Sequence, residues 1–189
     1  MGRESQVPWF PAWGIEFSKP IDDILAIIME FNSFRPSNRW LLVAFDAIAS
    51  ELHLWTTWYS MRRREDSESM VAKTPDAEFL RKISGTHQIS RAFERAGLRK
   101  GDEKAWIVFL PELGIGNSFG DFSIPYETYN EMSIESERLV EVLGGRLLPL
   151  RPTPSLKGLE RLGMEDVENS LPSEIEGLFL SWMAQSDLR

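Results

Sequence analysis

The stretch 105–110 has the sequence Ala105-Trp106-Ile107-Val108-Phe109-Leu110, an unbroken apolar run. It follows a turn at Gly101-Asp102. A continuous apolar run of this length, bounded by turn residues, is typical of a strand that is covered on both faces. We therefore predict the central strand of a sheet at this position and place the other elements around it.

Two short helices are predicted immediately before this strand. The first covers residues 76–83, with Thr74 as its N-cap and Pro75 at the first helical position. The second covers residues 87–96, with Thr86 as its N-cap. Each is followed within two residues by a glycine, the residue that most often ends a helix.

The N-terminal part of the chain is more ambiguous. A short strand is predicted within residues 9–17, with Ile15 and Phe17 on one face. Residues 25–31 form a short apolar run that fits a buried strand or a buried helix equally well, and we favour the strand. Ser37 is a plausible N-cap for a long helix, since apolar residues recur at helical spacing from Trp40 until residues 62–64, three consecutive arginines.

The C-terminal part adds a helix over residues 126–143, an edge strand over residues 147–150, and two more helices over residues 156–162 and 173–184. With neither an internal repeat nor a low-complexity linker in the sequence, we predict a single domain over residues 1–189. The predicted fold class is α+β, a small, mainly antiparallel central sheet packed by several helices.

Composition excludes several classes of function. The chain has 189 residues, no cysteine and only two histidines, His53 and His87. Disulfide frameworks, thiolate nucleophiles and three-histidine metal sites are therefore impossible. We expect no metal, no cofactor and no catalytic residue. No apolar run approaches the roughly 18 residues of a membrane span, so we expect a cytoplasmic protein without membrane contact.

A glycine-containing loop follows the predicted central strand and suggests an alternative function. Gly114, Gly116 and Gly120 stand where a dinucleotide-binding enzyme carries its fingerprint. The spacing differs from G-x-G-x-x-G, and no helical periodicity follows. A nucleotide-binding or small-molecule-binding α/β enzyme that uses this loop is the alternative to a non-enzymatic role.

Positive charge is concentrated in one part of an acidic chain. The net charge is −8, yet residues 81–104 hold seven basic and three acidic residues, a local charge of +4. Within this stretch, the segment Ser84-Gly85-Thr86-His87 is predicted to present unpaired backbone N–H groups beside Lys82. Helix dipole and charge together predict a phosphate site at this junction.

The second short helix is predicted to be amphipathic. His87, Arg91 and Arg95 recur every four residues and form a basic outer stripe. The residues expected to pack inward are Ile89, Phe93 and Ala96. A simple solvated face is the alternative interpretation of the stripe.

Residues 79–93, with the sequence FLRKISGTHQISRAF, resemble the small kinase-binding subunit of the KEOPS complex, the Cgi or PRPK-binding protein family, especially its archaeal members. Gly97, the turn at residues 100–102 and the segment 139–145 are also similar. The likeness covers a core of about residues 25–184 and leaves residues 1–14 as an N-terminal extension.

The resemblance implies a non-catalytic, regulatory subunit of the machinery that makes threonylcarbamoyladenosine in tRNA. It implies three kinds of partner: the small atypical kinase/ATPase of the complex, the single-stranded 3′ CCA end of tRNA, and the other subunits indirectly. The region of the family that contacts tRNA maps onto Lys82, Ser84, Gly85, Thr86, His87, Gln88 and Ile89.

The kinase contact is predicted on the last helix. Apolar residues recur there at helical spacing, and core packing requires only one face of a helix. A remaining exposed face that includes Ile175, Phe179 or Trp182 is therefore a candidate docking patch, with core packing of these residues as the alternative.

Overall fold

The computed structural model describes residues 5–115 and 122–188, and within them the chain forms seven α-helices and two small antiparallel sheets. The strands are β1 (Gln6–Val7), β2 (Ala12–Phe17), β3 (Trp40–Ala44), β4 (Lys104–Phe109), β5 (Ile124–Pro125) and β6 (Gly145–Leu148). The larger sheet has the order β3-β4-β2-β6, and β1 pairs with β5 in the smaller one. The predicted α+β class is confirmed.

The helices are α1 (Ile24–Phe34), α2 (Glu51–Asp66), α3 (Pro75–Ile83), α4 (Ile89–Ala96), α5 (Tyr126–Val142), α6 (Leu156–Arg161) and α7 (Ile175–Ala184). Two single 3₁₀ turns, Phe45–Ala47 and Gln185–Asp187, follow β3 and α7. Among the described residues, no helix combines the length and the apolar composition that crossing a membrane requires.

The predicted central strand is confirmed in β4, which lies inside the larger sheet between β3 and β2. Successive side chains of a strand point to opposite faces. Trp106 and Val108 accordingly enter one hydrophobic cluster, and Ala105 and Ile107 enter the other. The run is apolar throughout because both faces of the sheet are covered by helices.

The strand predicted over residues 25–31 is wrong, because these residues belong to α1. The Asp23 side chain accepts a hydrogen bond from the backbone N–H of Ala26 at 3.0 Å and so caps the helix. Of the side chains in α1, only that of Phe31 is buried, so the helix leaves apolar residues on its outer surface.

The long helix predicted from Ser37 is also wrong in its first half. Trp40–Ala44 is a strand whose five residues are all buried and pair with β4. Helix α2 begins later, after Ser50, whose Oγ accepts from the N–H of His53 at 3.1 Å. All five residues of this strand are buried and apolar, so they also match the helical spacing of the segment that follows. This coincidence made the predicted helix too long.

The remaining elements agree with prediction to within a few residues. Helix α3 begins at Pro75, α5 ends before a glycine pair, and β6 is an edge strand. Helix α4 begins later than predicted, with Gln88 rather than Thr86 at the N-cap. The Oγ1 of Thr86 accepts from the N–H of Gln88 at 3.2 Å and so stabilises the turn that precedes the helix.

Candidate functional site

The junction between α3 and α4 lies in the interior of the protein. The N–H groups of Ser84, Gly85 and Thr86 donate to carbonyl oxygens in the last turn of α3 at 3.1, 3.1 and 3.4 Å. All three residues are buried. The prediction of unpaired, accessible N–H groups at this junction is wrong, because the turn that ends α3 uses these amides to satisfy its own carbonyls.

Trp182 of α7 covers this junction. Its indole Nε1 donates to the carbonyl oxygens of Ser84 at 3.0 Å and of Leu162 at 3.2 Å. A Cβ atom on Gly85 would lie 2.4 Å from Cδ1 of Trp182, and Gly85 has φ = 64°. Both the backbone conformation and the close approach of the indole ring therefore require glycine at this position.

Lys82 is buried as well, contrary to the expectation that it faces an RNA phosphate. Only 3% of its surface is exposed, and its Nζ lies 2.7 Å from Oδ2 of Asp187. Burial lowers the pKa of Lys82, and the hydrogen bond with Asp187 acts in the opposite direction. The sequence could not reveal this pairing because the two residues are 105 positions apart.

The outer part of the predicted site is accessible. His87, Gln88 and Arg91 are exposed, whereas Ile89 and Arg95 are half-buried. Gln88, Arg91 and Arg95 line an open cleft of about 560 Å³ beside α4, whereas His87 and Ile89 do not line it. The residues that line this α4 cleft are Thr86, Gln88, Arg91, Arg95, Gly163, Glu165 and Trp182.

Two arginines and one carboxylate, that of Glu165, bring charge to the α4 cleft, and the arginines differ in how firmly they are held. The guanidinium of Arg95 lies over the Trp182 ring, 5.5 Å from its centroid, and its Nη1 donates to the Ser84 carbonyl at 3.3 Å. Arg91 is exposed, and its guanidinium makes no hydrogen bond or ion pair within residues 5–115 and 122–188. The Arg95 side chain is thus held in place at the edge of the cleft, and the Arg91 guanidinium is accessible to a ligand.

The inward face of α4 differs from the prediction. Ala92 and Ala96 are buried against the neighbouring elements, whereas Phe93 is 50% exposed and Ile89 only half-buried. Small side chains let the two short helices approach closely, and the buried face is therefore narrower than the apolar pattern indicates. The prediction that Phe93 packs inward is wrong.

The prediction of an exposed kinase-docking patch on the last helix is also wrong. Ile175, Phe179 and Trp182 are all buried and belong to the larger hydrophobic cluster. The Phe179 ring meets the imidazole of the buried His53 edge-on, with centroids 5.3 Å apart. These residues therefore hold α7 against the core.

Exposed apolar residues occur instead on α1. Leu25 and Met29, one helical turn apart, are 68% and 60% exposed, and Phe34 at the end of the helix is also exposed. Sequence reasoning missed this surface because it assigned the segment to a buried strand. The cap at Asp23 was the signal that identifies the helix.

His53 and the glycines at positions 114, 116 and 120 are the remaining candidates for enzymatic chemistry. Among the described residues, no group of three histidine or acidic side chains could hold a metal ion. His53 is fully buried, and burial lowers its pKa to about 3. Its Nδ1 accepts from the Ala49 N–H at 3.2 Å, so its role is structural. Gly114 lies in irregular structure, whereas Gly116 and Gly120 fall outside the described residues.

No model of a known protein family matches the chain, and no curated protein matches it significantly.

Proposed function

We propose that this protein is a non-catalytic accessory subunit of a KEOPS-type complex and that it binds the 3′ CCA end of tRNA in the α4 cleft. The observation that carries the proposal is the exposed guanidinium of Arg91 beside this cleft, which has no hydrogen-bond or ion-pair partner in the described part of the chain. Arg91 lies within residues 79–93, the segment that carries the resemblance. Charge and motif thus support the same surface.

The residues around the cleft suit a single-stranded RNA end. Such ends are held by phosphate contacts together with stacking of bases on aromatic rings or guanidinium planes. Arg91 supplies a phosphate contact or a stacking plane, and Arg95 supplies a second cation fixed on the Trp182 ring. The exposed amide of Gln88 supplies a donor and an acceptor for a base edge.

Because Lys82 is buried, two phosphate contacts are expected in the α4 cleft, those of Arg91 and Arg95. With two contacts, the logarithmic salt slope for a single strand is about −1.4. Raising salt from 50 to 200 mM is therefore expected to weaken binding roughly sevenfold. The protein carries a net charge of −8, so its surface as a whole does not attract RNA.

Charge reversal at Arg91 tests the proposed surface. We expect Arg91→Glu to weaken tRNA binding in a gel shift by on the order of tenfold, because a phosphate contact is replaced by repulsion. Lys19→Glu is the matched control, since Lys19 is exposed and lines a different cleft. Equal binding by the Arg91→Glu variant and the wild type would remove this site from the proposal.

We propose the outer face of α1 as the contact for the kinase partner, and the exposure of Leu25 and Met29 supports this choice. We expect Leu25→Glu to abolish co-purification with the small kinase subunit of the same complex, since it puts a charge into an apolar contact. Leu171→Glu is the control, at an exposed leucine outside α1. Retained co-purification of the Leu25→Glu variant would exclude this face.

A further inference from the structure

A second cleft, distinct from the α4 cleft, opens between the C-terminal end of α2 and the end of α7. Its volume is about 840 Å³. The charged side chains that line it are those of Arg63, Arg64, Asp66, Lys82 and Asp187. We call it the α2–α7 cleft.

Three cationic side chains converge on one carboxylate beside this cleft. The Oδ2 atom of Asp187 lies 2.7 Å from Nη2 of Arg64 and 2.7 Å from Nζ of Lys82. Its Oδ1 atom lies 2.9 Å from Nη2 of Arg81. Charge-assisted donors from three side chains therefore surround one carboxylate, an arrangement that can hold an oxyanion.

The cluster holds more positive charge than the fold requires. Arg81 already has an internal partner, Glu78, at 2.6 and 3.0 Å, and both side chains are fully buried. Among the described residues, Arg64 and Lys82 have Asp187 as their only acidic partner. Two cations therefore depend on a single negative charge, while Arg63 and Asp66 add one charge of each sign to the cleft lining.

Asp187 reaches the cluster from a short segment. It ends the single 3₁₀ turn Gln185–Asp187, whose Ser186 carbonyl accepts from Nη1 of Arg81 at 2.8 Å. The next residue, Leu188, is 84% exposed. About a third of the Asp187 side chain is also exposed. A single partly exposed turn can move aside at lower cost than a packed helix.

We propose that Arg64, Arg81 and Lys82 form a binding site for a terminal phosphate group and that Asp187 occupies this site as an internal competitor. A terminal phosphate carries close to two negative charges and three acceptor oxygens, whereas the carboxylate carries one charge and two oxygens. The phosphate therefore matches three donor side chains better. This inference is independent of RNA binding in the α4 cleft.

Competition between the Asp187 carboxylate and an external anion determines how much phosphate affinity should change when Asp187 is replaced. A tethered group acts at an effective concentration in the millimolar range, so the internal carboxylate weakens the apparent affinity for an external anion. Asp187→Asn keeps the shape of the side chain and removes its charge. We expect this variant to bind inorganic phosphate at least tenfold more tightly than the wild type.

The test is a titration of the full chain with inorganic phosphate at constant ionic strength. Calorimetry measures the affinity, and the rise in melting temperature provides an independent readout of binding. Asp22→Asn is the control for the loss of one ion-paired carboxylate, since Asp22 contacts Lys100 on the surface. It is expected to bind phosphate no more tightly than the wild type. The double variant Asp187→Asn/Arg64→Ala is expected to lose the gain, because Arg64 is one of the three donors.

Dimethyl phosphate, a diester with one negative charge, distinguishes a terminal phosphate from a nucleic-acid backbone. We expect it to bind the Asp187→Asn variant at least tenfold more weakly than inorganic phosphate does. Equal binding of the two probes would overturn the assignment to a terminal phosphate. If phosphate has the same affinity for Asp187→Asn as for the wild type, the cluster is only a structural ion-pair network and the proposal is wrong.

Discussion

Replacement of Gly85 by alanine tests how the α3–α4 junction is built. The added methyl group meets two obstacles: the positive φ of 64°, and the indole of Trp182, with Cδ1 only 2.4 Å from the new Cβ. The left-handed conformation costs alanine about 1–2 kcal/mol. Overpacking against a buried ring adds about 1–3 kcal/mol. We therefore expect Gly85→Ala to lower the free energy of unfolding by about 2–5 kcal/mol.

Gly144 provides a matched control for this substitution. It has the same φ of 64°, but no atom lies within 4 Å of the position that a Cβ would occupy. Gly144→Ala therefore measures the backbone cost alone, about 1–2 kcal/mol. Chemical denaturation of the wild type and both variants gives the two free-energy differences. Equal losses of stability in the two variants would refute the claim that Trp182 packs directly on Gly85.

Two further predictions concern buried side chains. Burial lowers the pKa of His53 to about 3 in the folded state. Below pH 6.5 the unfolded chain therefore binds more protons than the folded chain, and the free energy of unfolding decreases as the pH is lowered. Between pH 6 and 4.5 this group alone is expected to remove about 2 kcal/mol, and a His53→Leu variant measured by urea denaturation should lack that part of the slope; an unchanged slope would contradict the assignment. Ala92→Leu is expected to cost about 1–3 kcal/mol by overpacking the α4 contact, whereas Phe93→Ser, at a half-exposed position, should cost less than 1 kcal/mol. Both costs are measured by urea denaturation. A larger loss of stability for Phe93→Ser than for Ala92→Leu would show that the apolar side of α4, with Phe93, faces inward.

Local signals in the sequence were sufficient for the elements that depend on local chemistry. The proline and glycine around residues 75–85 identified α3, and the unbroken apolar run identified β4. Trp40–Ala44 was assigned wrongly because its strand conformation depends on pairing with β4, about sixty residues away. Short apolar runs do not reveal such a partner.

The candidate site was predictable only on its surface. The spacing of Arg91 and Arg95 placed both beside the same cleft. The burial of Lys82 and Gly85 depends on Asp187 and Trp182, which approach from the C-terminal end of the chain. No periodicity or capping rule connects residues that are about a hundred positions apart. The burial of the α3–α4 junction by the C-terminal residues could therefore not be predicted from the sequence.

Removal of the 3′ CCA nucleotides from tRNA tests the proposed function most directly. In a gel shift at 50 mM salt with the wild-type protein, we expect full-length tRNA to bind and trimmed tRNA to lose detectable binding, because the proposal places only the single-stranded end in the α4 cleft. Equal affinity for the two RNAs would contradict capture of the tRNA end and leave the positive charge of α4 as an ordinary solvated surface.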